Sequence, residues 1–340
     1  MTLLLHKDTH VIMHRRLNAL EQLGHKLKSL TEDYSLLNKV QMKNPWFTAD
    51  FVKEALFSWS NSLTKNNLNN WITKSGFTDG VVDVKRIGVI CAGNIPLVGF
   101  HDIVCAYLSG NKVFFKPSSD DTVLCLRVVE CLIEIDPAAS IVSVAKLNGV
   151  EAIIATGNNN TMRYFEYYFQ DIPRILRGAR TSISIIDDST KVSELNLLAK
   201  DIFQYFGRGC RSVTHLFLPT DFDIQKLFKS WFDWSHLGLH SKYGSNYDYQ
   251  RALLMLNKAK FHENNFAILR EDPNLKPPVG VINYTYYSDK PTLLKHLEDR
   301  EDEIQAYVGK GFSTSFGQSQ NPQLWDYADG VDTLTFCMRL

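Results

Sequence analysis

The chain has 340 residues, of which 44% are hydrophobic, enough for one large domain or two ordinary ones. Its 37 basic and 37 acidic residues balance to a formal net charge of zero, which argues against a nucleic acid as partner. No apolar run reaches the roughly 18 residues that a membrane-spanning helix needs. Residues 1–16 lack the apolar core and cleavage site of a signal peptide, so we expect a cytoplasmic protein.

The six cysteines support that expectation. No two of them have the CxxC spacing and none stands at metal-ligand spacing from a histidine, so no metal site is expected. Cysteine inside an apolar run usually behaves as a small core residue. The cysteines in such runs are Cys91, Cys105, Cys125 and Cys131. This pattern is typical of a reduced, cytoplasmic protein.

Residues 1–84 are predicted to form a helical N-terminal region. Leucines recur at helical spacing from Leu17 to Leu30, and a second amphipathic pattern runs from Trp46 to Trp59. We expect this region to pack on the domain that follows it in the chain.

From residue 86 onward the pattern changes to strands that alternate with helices. Six apolar strands are predicted, at 86–92, 112–117, 141–146, 152–156, 175–176 and 182–186. The connecting helices are predicted at 96–108, 120–135 and 164–169. Nearly continuous apolar strands that alternate with helices predict a parallel sheet covered on both faces. Because such sheets bind ligands at the carboxyl ends of their strands, the turns at 93–96, 116–119 and 156–158 are candidate binding positions.

The stretch from Gly207 to Ser212 follows an apolar helical run and precedes a strand predicted at 214–219. It places Cys210 between two glycines, which free the backbone and remove bulk beside the sulfur. Arg208 and Arg211 raise the local positive potential, which favours thiolate over thiol. We therefore predict that Cys210 is a nucleophile. The two arginines are candidates for supporting the thiolate or binding substrate phosphates, with ordinary surface arginines as the alternative.

Beyond Cys210 the pattern is weaker. Helices are predicted at 223–234 and 249–258, strands at 265–269 and 279–284, and an edge strand at 334–337. His215 lies in a strand pattern and is a weaker candidate for an acid or base. The aromatic stretch at 231–249, with His236 and His240, is a weaker candidate for the lining of a substrate channel.

Three familiar motifs are absent: GxGxxG after the first strand, GxxxxGK[ST] and GxSxG. The chain instead contains, in order, GVICAGNIPL at 88–97, GNKVFFKPS at 110–118, ATGN at 155–158, GARTS at 178–182 and GRGC at 207–210. In this order the motifs resemble those of the aldehyde dehydrogenase superfamily, and within it the LuxC-type acyl-CoA reductases. The resemblance covers residues 85–220.

The resemblance implies an α/β, aldehyde dehydrogenase-like fold. It divides the chain into a helical N-terminal region (1–84), a Rossmann-type parallel-sheet nucleotide-binding domain (85–205), an α/β catalytic domain with the cysteine (206–310) and a C-terminal return or oligomerisation segment (311–340). Members commonly form homo-oligomers, and we expect one here. An acyl-transferring partner enzyme is expected by analogy alone.

The resemblance also implies roles for single residues. Cys210 is the catalytic nucleophile, and Asn94 donates a hydrogen bond to the oxyanion that forms on attack. The implied cofactor-binding residues are Lys116, Ser118, Thr156, Gly157 and Asn158. Simpler roles stay open: a turn former for Asn94, a solvated strand-end lysine, a helix N-cap for Ser118 and an ordinary turn at 156–158.

Two departures from the superfamily pattern affect the expected reaction. Oxidising members have a glutamate that activates water just before the segment matched by GARTS, whereas this chain has Leu176 followed by Arg177. Without that base, hydrolysis of an acyl-enzyme should be slow. Ser119 stands where an acid would repel a 2′-phosphate, so NADPH is permitted, although neighbouring Asp120 keeps NADH open.

These observations together predict an NADPH-dependent reductase that converts a fatty acyl thioester to the aldehyde through an acyl group carried on Cys210. The acyl carrier is either CoA or acyl-carrier protein. The alternatives are an NAD(P)-dependent aldehyde dehydrogenase or an acyl-phosphate reductase of the same fold, or a non-catalytic subunit that binds acyl thioesters.

Overall fold

The computed structural model of the chain describes residues 2–76 and 83–340, so residues 77–82 of the predicted helical region lie outside it. Contacts between residues divide the chain into two units, one formed by 1–178 with 323–340 and the other by 179–322. The four functional segments predicted from the sequence have other limits and stay predictions. Within the described ranges, no helix is long and apolar enough to cross a bilayer.

The N-terminal part of the first unit is helical, as predicted. Its helices are α1 (Thr2–Leu30), α2 (Tyr34–Lys43), α3 (Ala49–Ser62) and α4 (Lys65–Ser75). The side chains of Asp33, Thr48 and Thr64 cap α2, α3 and α4 by accepting backbone N–H groups of the first turn. The helices are amphipathic, and the leucines from Leu20 to Leu30 that face inward are buried in one apolar core with the sheet described next.

The remainder of the first unit is an α/β layer built on a parallel sheet. The strands are β1 (Arg86–Ile90), β2 (Lys112–Lys116), β3 (Ile141–Ser143), β4 (Ala152–Thr156) and β5 (Arg174–Arg177). They pair in the order β3-β2-β1-β4-β5, and every pair is parallel. The connecting helices are α5 (Phe100–Ser109), α6 (Thr122–Ile135) and α7 (Asn159–Tyr168). This confirms a parallel sheet with five of the six predicted strands, which are apolar because helices cover them. The sixth predicted strand, at 182–186, belongs instead to the sheet of the second unit.

The second unit contains a six-stranded sheet in the order β11-β6-β7-β10-β9-β8. Its strands are β6 (Thr181–Ile185), β7 (Val213–Pro219), β8 (His262–Glu263), β9 (Ile268–Glu271), β10 (Val281–Tyr287) and β11 (Ile304–Val308). Its α-helices are α8 (Val192–Phe203), α9 (Gln225–Ser230), α10 (Ser241–Leu256) and α11 (Lys290–Glu298). The pairs are parallel except β8 with β9, which is antiparallel.

The C-terminal segment ends in a helix, so the predicted edge strand at 334–337 is wrong. Helix α12 (Thr333–Met338) begins after Asp332, whose carboxylate accepts the N–H of Thr335. Leu334 and Cys337 are buried, and their spacing of three residues suits one face of a helix as well as it suits a short strand. The side chain of Asn111, at the start of β2, donates to the carbonyl of Cys337 at 2.7 Å. That bond fastens the C-terminal helix to the parallel sheet of the first unit, to which both belong.

Candidate active site

The carboxyl ends of three neighbouring strands in the first unit form one edge of the sheet. Lys116 at the end of β2 is in register with Ile90 of β1, and Ile90 is in register with Ala155 of β4. Lys116, the turn after β1 and Thr156 therefore lie at the same edge. Strand order reverses at β1, between β2 and β4, and such switch points are where open parallel sheets bind ligands.

The turn between β1 and α5 carries Asn94, which is half-buried. Gly93 approaches the side chain of Ser118 so closely that a Cβ atom on Gly93 would overlap it. The segment thus requires glycine at 93, and it brings the Asn94 turn and the turn after β2 together. We call residues 91–99 the Asn94 turn.

The Asn94 turn also delays the start of the next helix. Leu97 has a φ of 58°, in the left-handed region that costs a non-glycine residue roughly 1–2 kcal/mol. Its N–H donates to the Oδ2 atom of Asp121 at 2.7 Å, which holds it in that conformation. Helix α5 therefore begins at Phe100, whereas the sequence predicted a start at 96.

Asp121 lies at the start of the helix predicted at 120–135, where an acid suits the positive end of a helix. It is the residue before α6, but its carboxylate is buried and accepts the N–H of Leu97. Burial raises the pKa of this carboxyl to about 7, with the bond from Leu97 opposing the shift. Asp121 thus fastens the Asn94 turn to α6, a role that its position in the sequence did not reveal.

The predicted cofactor-binding residues differ in their exposure and in their hydrogen bonds. The side chain of Lys116 is exposed at the end of β2, and Thr156 is half-buried at the end of β4. Ser118 accepts the N–H of Asp120 through its Oγ at 3.3 Å and so stabilises its own turn, which ends before α6. Asn158 is the N-cap of α7 and accepts the N–H of Thr161 at 2.9 Å.

Gly157 continues the same turn, and its N–H donates to the carbonyl of Arg177 at 3.1 Å. Leu176 is half-buried in β5. Arg177 is buried, and one of its N–H groups lies 2.8 Å from both carboxylate oxygens of Asp102. The other donates to Thr333 Oγ1 at 2.6 Å. No carboxylate side chain is therefore present at 176 or 177, and the guanidinium at 177 is occupied by a buried ion pair.

In the second unit, Cys210 differs from the other five cysteines. It is half-buried, whereas Cys91, Cys105, Cys125, Cys131 and Cys337 are buried. Burial raises the pKa of Cys105, Cys131 and Cys337, which leaves these thiols protonated and unreactive. This agrees with the predicted core role of the cysteines in apolar runs and leaves Cys210 as the most accessible thiol.

A left-handed turn leads into Cys210. Tyr205, Phe206 and Gly207 have φ angles of 55°, 59° and 69°. Two non-glycine residues in that region are strained, and such strain persists only where packing imposes it. The Phe206 ring lies 4.4 Å from the ring centre of His240 and 5.6 Å from that of Tyr243. The aromatic stretch at 231–249 therefore packs on the turn that precedes Cys210.

The backbone around Cys210 is fixed by three hydrogen bonds. The N–H of Ser212 donates to the carbonyl of Gly209 at 3.0 Å, and the N–H of Gly209 donates to Ser212 Oγ at 3.1 Å. Ser182 Oγ donates to the carbonyl of Cys210 at 3.1 Å. We call residues 209–212 the Cys210 turn; it lies at the N-terminal end of β7. Arg208 precedes this turn and Arg211 lies within it, and both are half-buried.

The histidines considered from the sequence have structural partners. His215 is buried on β7, with Nδ1 3.3 Å from the carbonyl of Asn274 and Nε2 3.0 Å from Thr285 Oγ1. Burial lowers its pKa to about 4, so it is neutral at pH 7. His236 Nδ1 is 3.0 Å from the carbonyl of Asp233, while His240 caps α10 by accepting the N–H of Tyr243. These contacts favour structural roles for all three.

The predicted residues are divided between the two units. Asn94, Lys116, Ser118 and the turn at 156–158 belong to the first, and Cys210 with its two arginines belongs to the second. Sequence reasoning missed Asp121 as a fastener of the Asn94 turn and Ser212 as the side chain that closes the Cys210 turn. For Ser212 a signal was present: the glycines of the GRGC motif indicate a turn, and a short hydroxyl side chain beside a turn commonly closes it.

The fold is that of the aldehyde dehydrogenases. Aldehyde dehydrogenase 21 from Physcomitrella patens, solved with the reaction product succinate, matches with a TM-score of 0.69 at 13% identity, over 98% of this chain and 86% of that chain. An aldehyde dehydrogenase from Mycobacterium tuberculosis in complex with NAD+ matches with a TM-score of 0.62 at 14% identity, over 83% of this chain and 70% of that one. The class defined by this fold is the aldehyde dehydrogenase-like α/β proteins.

Within that class, the family described as acyl-CoA reductase (LuxC) matches residues 65–227. Long-chain acyl-protein thioester reductase 2 of Photobacterium leiognathi is 26% identical over 150 residues. That match covers 39% of this chain and 31% of the relative, so the chain spans about a third of the curated protein's length. These findings confirm the LuxC-type resemblance for residues 65–227, within an aldehyde dehydrogenase-like fold.

Proposed function

We propose that the protein reduces a fatty acyl thioester, carried by CoA or by acyl-carrier protein, to the aldehyde with NADPH. The observation that carries the proposal is Cys210: a half-buried thiol on a fixed turn, between two arginines, in a chain whose other cysteines are buried. The Photobacterium relative is a long-chain acyl-protein thioester reductase, which supports an acyl thioester as the substrate class.

In the proposed reaction the Cys210 thiolate attacks the thioester carbonyl. A bond forms between its sulfur and the carbonyl carbon, and the bond to the carrier sulfur breaks, so the carrier leaves as a thiolate that takes up a proton. Arg208 and Arg211 favour the attacking thiolate. Asn94 has the oxyanion role by resemblance, and the fixed Asn94 turn suits a donor that must be placed before charge develops.

The carboxyl edge of the first sheet fits a dinucleotide. It lies at the switch point of a parallel sheet, with the exposed Lys116 at its rim and a backbone at Gly93 that leaves no space for a side chain. When bound there, NADPH supplies the hydride that turns the acyl group into an aldehyde. Relatives from Pseudomonas syringae and Mycobacterium tuberculosis were solved with NAD+, which supports a nicotinamide cofactor. Ser119 supports the choice of NADPH over NADH.

The proposed direction rests on Leu176 and Arg177. Neither side chain can activate water as a base, and Arg177 is held by Asp102. An acyl group on Cys210 should therefore persist until it is reduced or passed to another thiol. A cytoplasmic location, a homo-oligomeric state and an acyl-transferring partner enzyme remain predictions from the sequence.

The test uses the full chain with a panel of acyl-CoAs, acyl-carrier protein thioesters, acyl phosphates and free aldehydes, each with NADPH or NADH, or with the oxidised cofactors for the aldehydes. We expect aldehyde from the thioesters with NADPH. Without reductant, intact-mass spectrometry should show one acyl group on wild-type protein and none on Cys210→Ala. The matched control, Cys105→Ala, should keep both properties. Normal turnover by Cys210→Ala would overturn the proposal, whereas activity on acyl phosphates or aldehydes alone would favour the alternative reactions.

A further inference from the structure

A chain of buried hydrogen bonds in the second unit reaches the Cys210 turn from a distant part of the sequence. It begins at Asp201 on α8, which is fully buried. The Asp201 carboxylate accepts the N–H of Gly317 at 2.6 Å and that of Ser319 at 2.8 Å. Hydrogen bonds to a charged acceptor are short and strong, so the segment at 317–319 is held against the helix.

The next residue of that segment reaches the cysteine turn. Gln320 Nε2 donates to Ser212 Oγ at 3.1 Å, and Ser212 Oγ also accepts the N–H of Gly209 at 3.1 Å. Ser212 is fully buried and Gln320 is 7% exposed. One hydroxyl oxygen therefore joins the side chain of Gln320 to the backbone of the turn that presents Cys210.

An amide side chain such as that of Gln320 is rarely buried where a residue only fills space. Burying an amide side chain without hydrogen bonds costs about 1–3 kcal/mol, whereas an apolar side chain of the same size carries no such penalty. The donated bond fixes the direction of the Ser212 hydroxyl, because an oxygen that accepts twice must point its two lone pairs at the two donors. The Cys210 turn then has one preferred geometry.

We propose that Gln320 is a positioning residue that acts through Ser212 to hold the Cys210 turn in its reactive geometry. This inference rests on the proposed function of Cys210 as the acyl-carrying nucleophile. Asp201 supports the arrangement from behind by fixing the segment that carries Gln320. Gln320 itself need not touch substrate, so its removal should change how fast Cys210 reacts and leave substrate binding nearly intact.

The first test compares Gln320→Met, which keeps the volume, with Gln320→Asn, whose shorter side chain keeps the amide and loses the reach. Both should lower kcat for acyl-thioester reduction about tenfold, with KM changed less than twofold, since one hydrogen bond in the reacting state is lost. Iodoacetamide alkylation at Cys210, followed by peptide mass spectrometry across pH, should have its midpoint shifted upward by about one unit. A loosened turn presents the arginines and backbone dipoles to the thiolate less well.

Ser184→Ala is the matched control. Ser184 is fully buried in the same unit, and its Oγ donates to the carbonyl of Val308 at 3.1 Å, so the variant loses a hydrogen bond of similar kind. We expect it to lower the melting temperature about as much as Gln320→Met while leaving kcat and the alkylation midpoint unchanged. If Ser184→Ala shifts the midpoint equally, the effect is general loosening and the proposal fails.

A double variant shows whether Gln320 and Ser212 affect Cys210 through the same hydrogen bond or independently. Ser212→Ala combined with Gln320→Met should be no slower than the slower single variant, because both act through one oxygen. Multiplied losses, or wild-type kcat and midpoint in Gln320→Met, would overturn the inference. Alkylation reads the turn without turnover, so a reductase-active Cys210→Ala would sink the proposed function while this result on Gln320 could still be obtained.

Discussion

The Asn94 turn of the first unit contains a non-glycine residue in the left-handed region, and two such residues come just before the Cys210 turn of the second unit. Leu97 has a φ of 58°, and Tyr205 and Phe206 have 55° and 59°. The two turns differ in what fixes them. A carboxylate 24 positions along the chain fastens the Asn94 turn, whereas an amide 108 positions from Ser212 reaches the Cys210 turn. A turn can thus be fixed by a residue near it in the chain or by a remote segment of its unit.

The difference has a physical consequence for each turn. Asp121 bonds the backbone of the Asn94 turn directly, and glycines let that turn approach its neighbours. The Cys210 turn is held through hydroxyl groups, by Ser182 at its carbonyl and by Ser212 at its closing bond. A hydroxyl group can rotate toward its hydrogen-bond partners. The geometry of the Cys210 turn therefore depends on the side chain that orients the Ser212 hydroxyl.

The largest expected effect tests whether the Asn94 turn presents a catalytic group. Asn94→Ala should lower the rate of acyl-enzyme formation about 10²–10³-fold, because one preorganised oxyanion donor is lost. Asn94→Asp should be similarly slow, since an ionised carboxylate cannot donate. Single-turnover acylation, followed by intact mass, measures both. Asn67→Ala removes an exposed amide of the first unit and should acylate normally; an Asn94→Ala rate within threefold of wild type would reduce the turn to a scaffold.

The sequence predicted those parts of the fold that are determined by residues close together in the chain. The apolar strands of the first sheet and the glycine-flanked turn at Cys210 were predicted from neighbouring residues alone. Helix α11 was missed because charged and polar residues interrupt its apolar pattern, and strand β11 was missed because it has only five residues. The C-terminal segment was misread because Leu334 and Cys337 suit either a strand or a helix, and tertiary packing decides between them.

The residues of the candidate site likewise fall into those that local motifs predicted and those that depend on distant parts of the chain. Cys210, Asn94 and Lys116 were predicted from short motifs, and the structure puts each at a turn or a strand end. Gln320 could not be found, because nothing near residue 320 indicates a partner so far away in the chain. Likewise, the choice of Asp121 to bond Leu97 depends on the three-dimensional path of the Asn94 turn.

A smaller effect tests the close packing of the Asn94 turn. Gly93→Ala places a methyl group against Ser118, and forced overpacking typically costs about 1–3 kcal/mol. Ser118→Gly removes the obstructing side chain, so the double variant should recover much of the lost stability. Urea unfolding of the four proteins gives the coupling. Gly93 does not have a positive φ, so Gly93→Ala introduces the packing conflict without backbone strain. Equal losses of stability from Gly93→Ala with and without the Ser118 side chain would contradict the packing argument.

The smallest expected effect is the pH dependence of stability that the two buried carboxylates, Asp121 and Asp201, contribute. Burial raises the pKa of Asp121 to about 7 and that of Asp201 to about 6, against an ordinary value of 3.8. For an acid with a raised folded-state pKa, the folded protein binds the proton more tightly than the unfolded chain. Its contribution to stability is therefore complete below the ordinary pKa and is lost as the pH rises to the folded-state value.

The two windows overlap between about pH 4 and pH 6, but the window of Asp121 alone extends to about pH 7. Wild type should lose stability relative to Asp121→Asn as the pH rises from 6 to 7, by at most about 1.4 kcal/mol, the limit for one proton over one unit. Relative to Asp201→Asn it should change little in that interval. Urea unfolding of the three proteins at pH 5, 6 and 7 measures both differences. A larger change for Asp201→Asn than for Asp121→Asn above pH 6 would reverse the comparison, since the carboxylate behind the Cys210 turn would then be the more strongly desolvated.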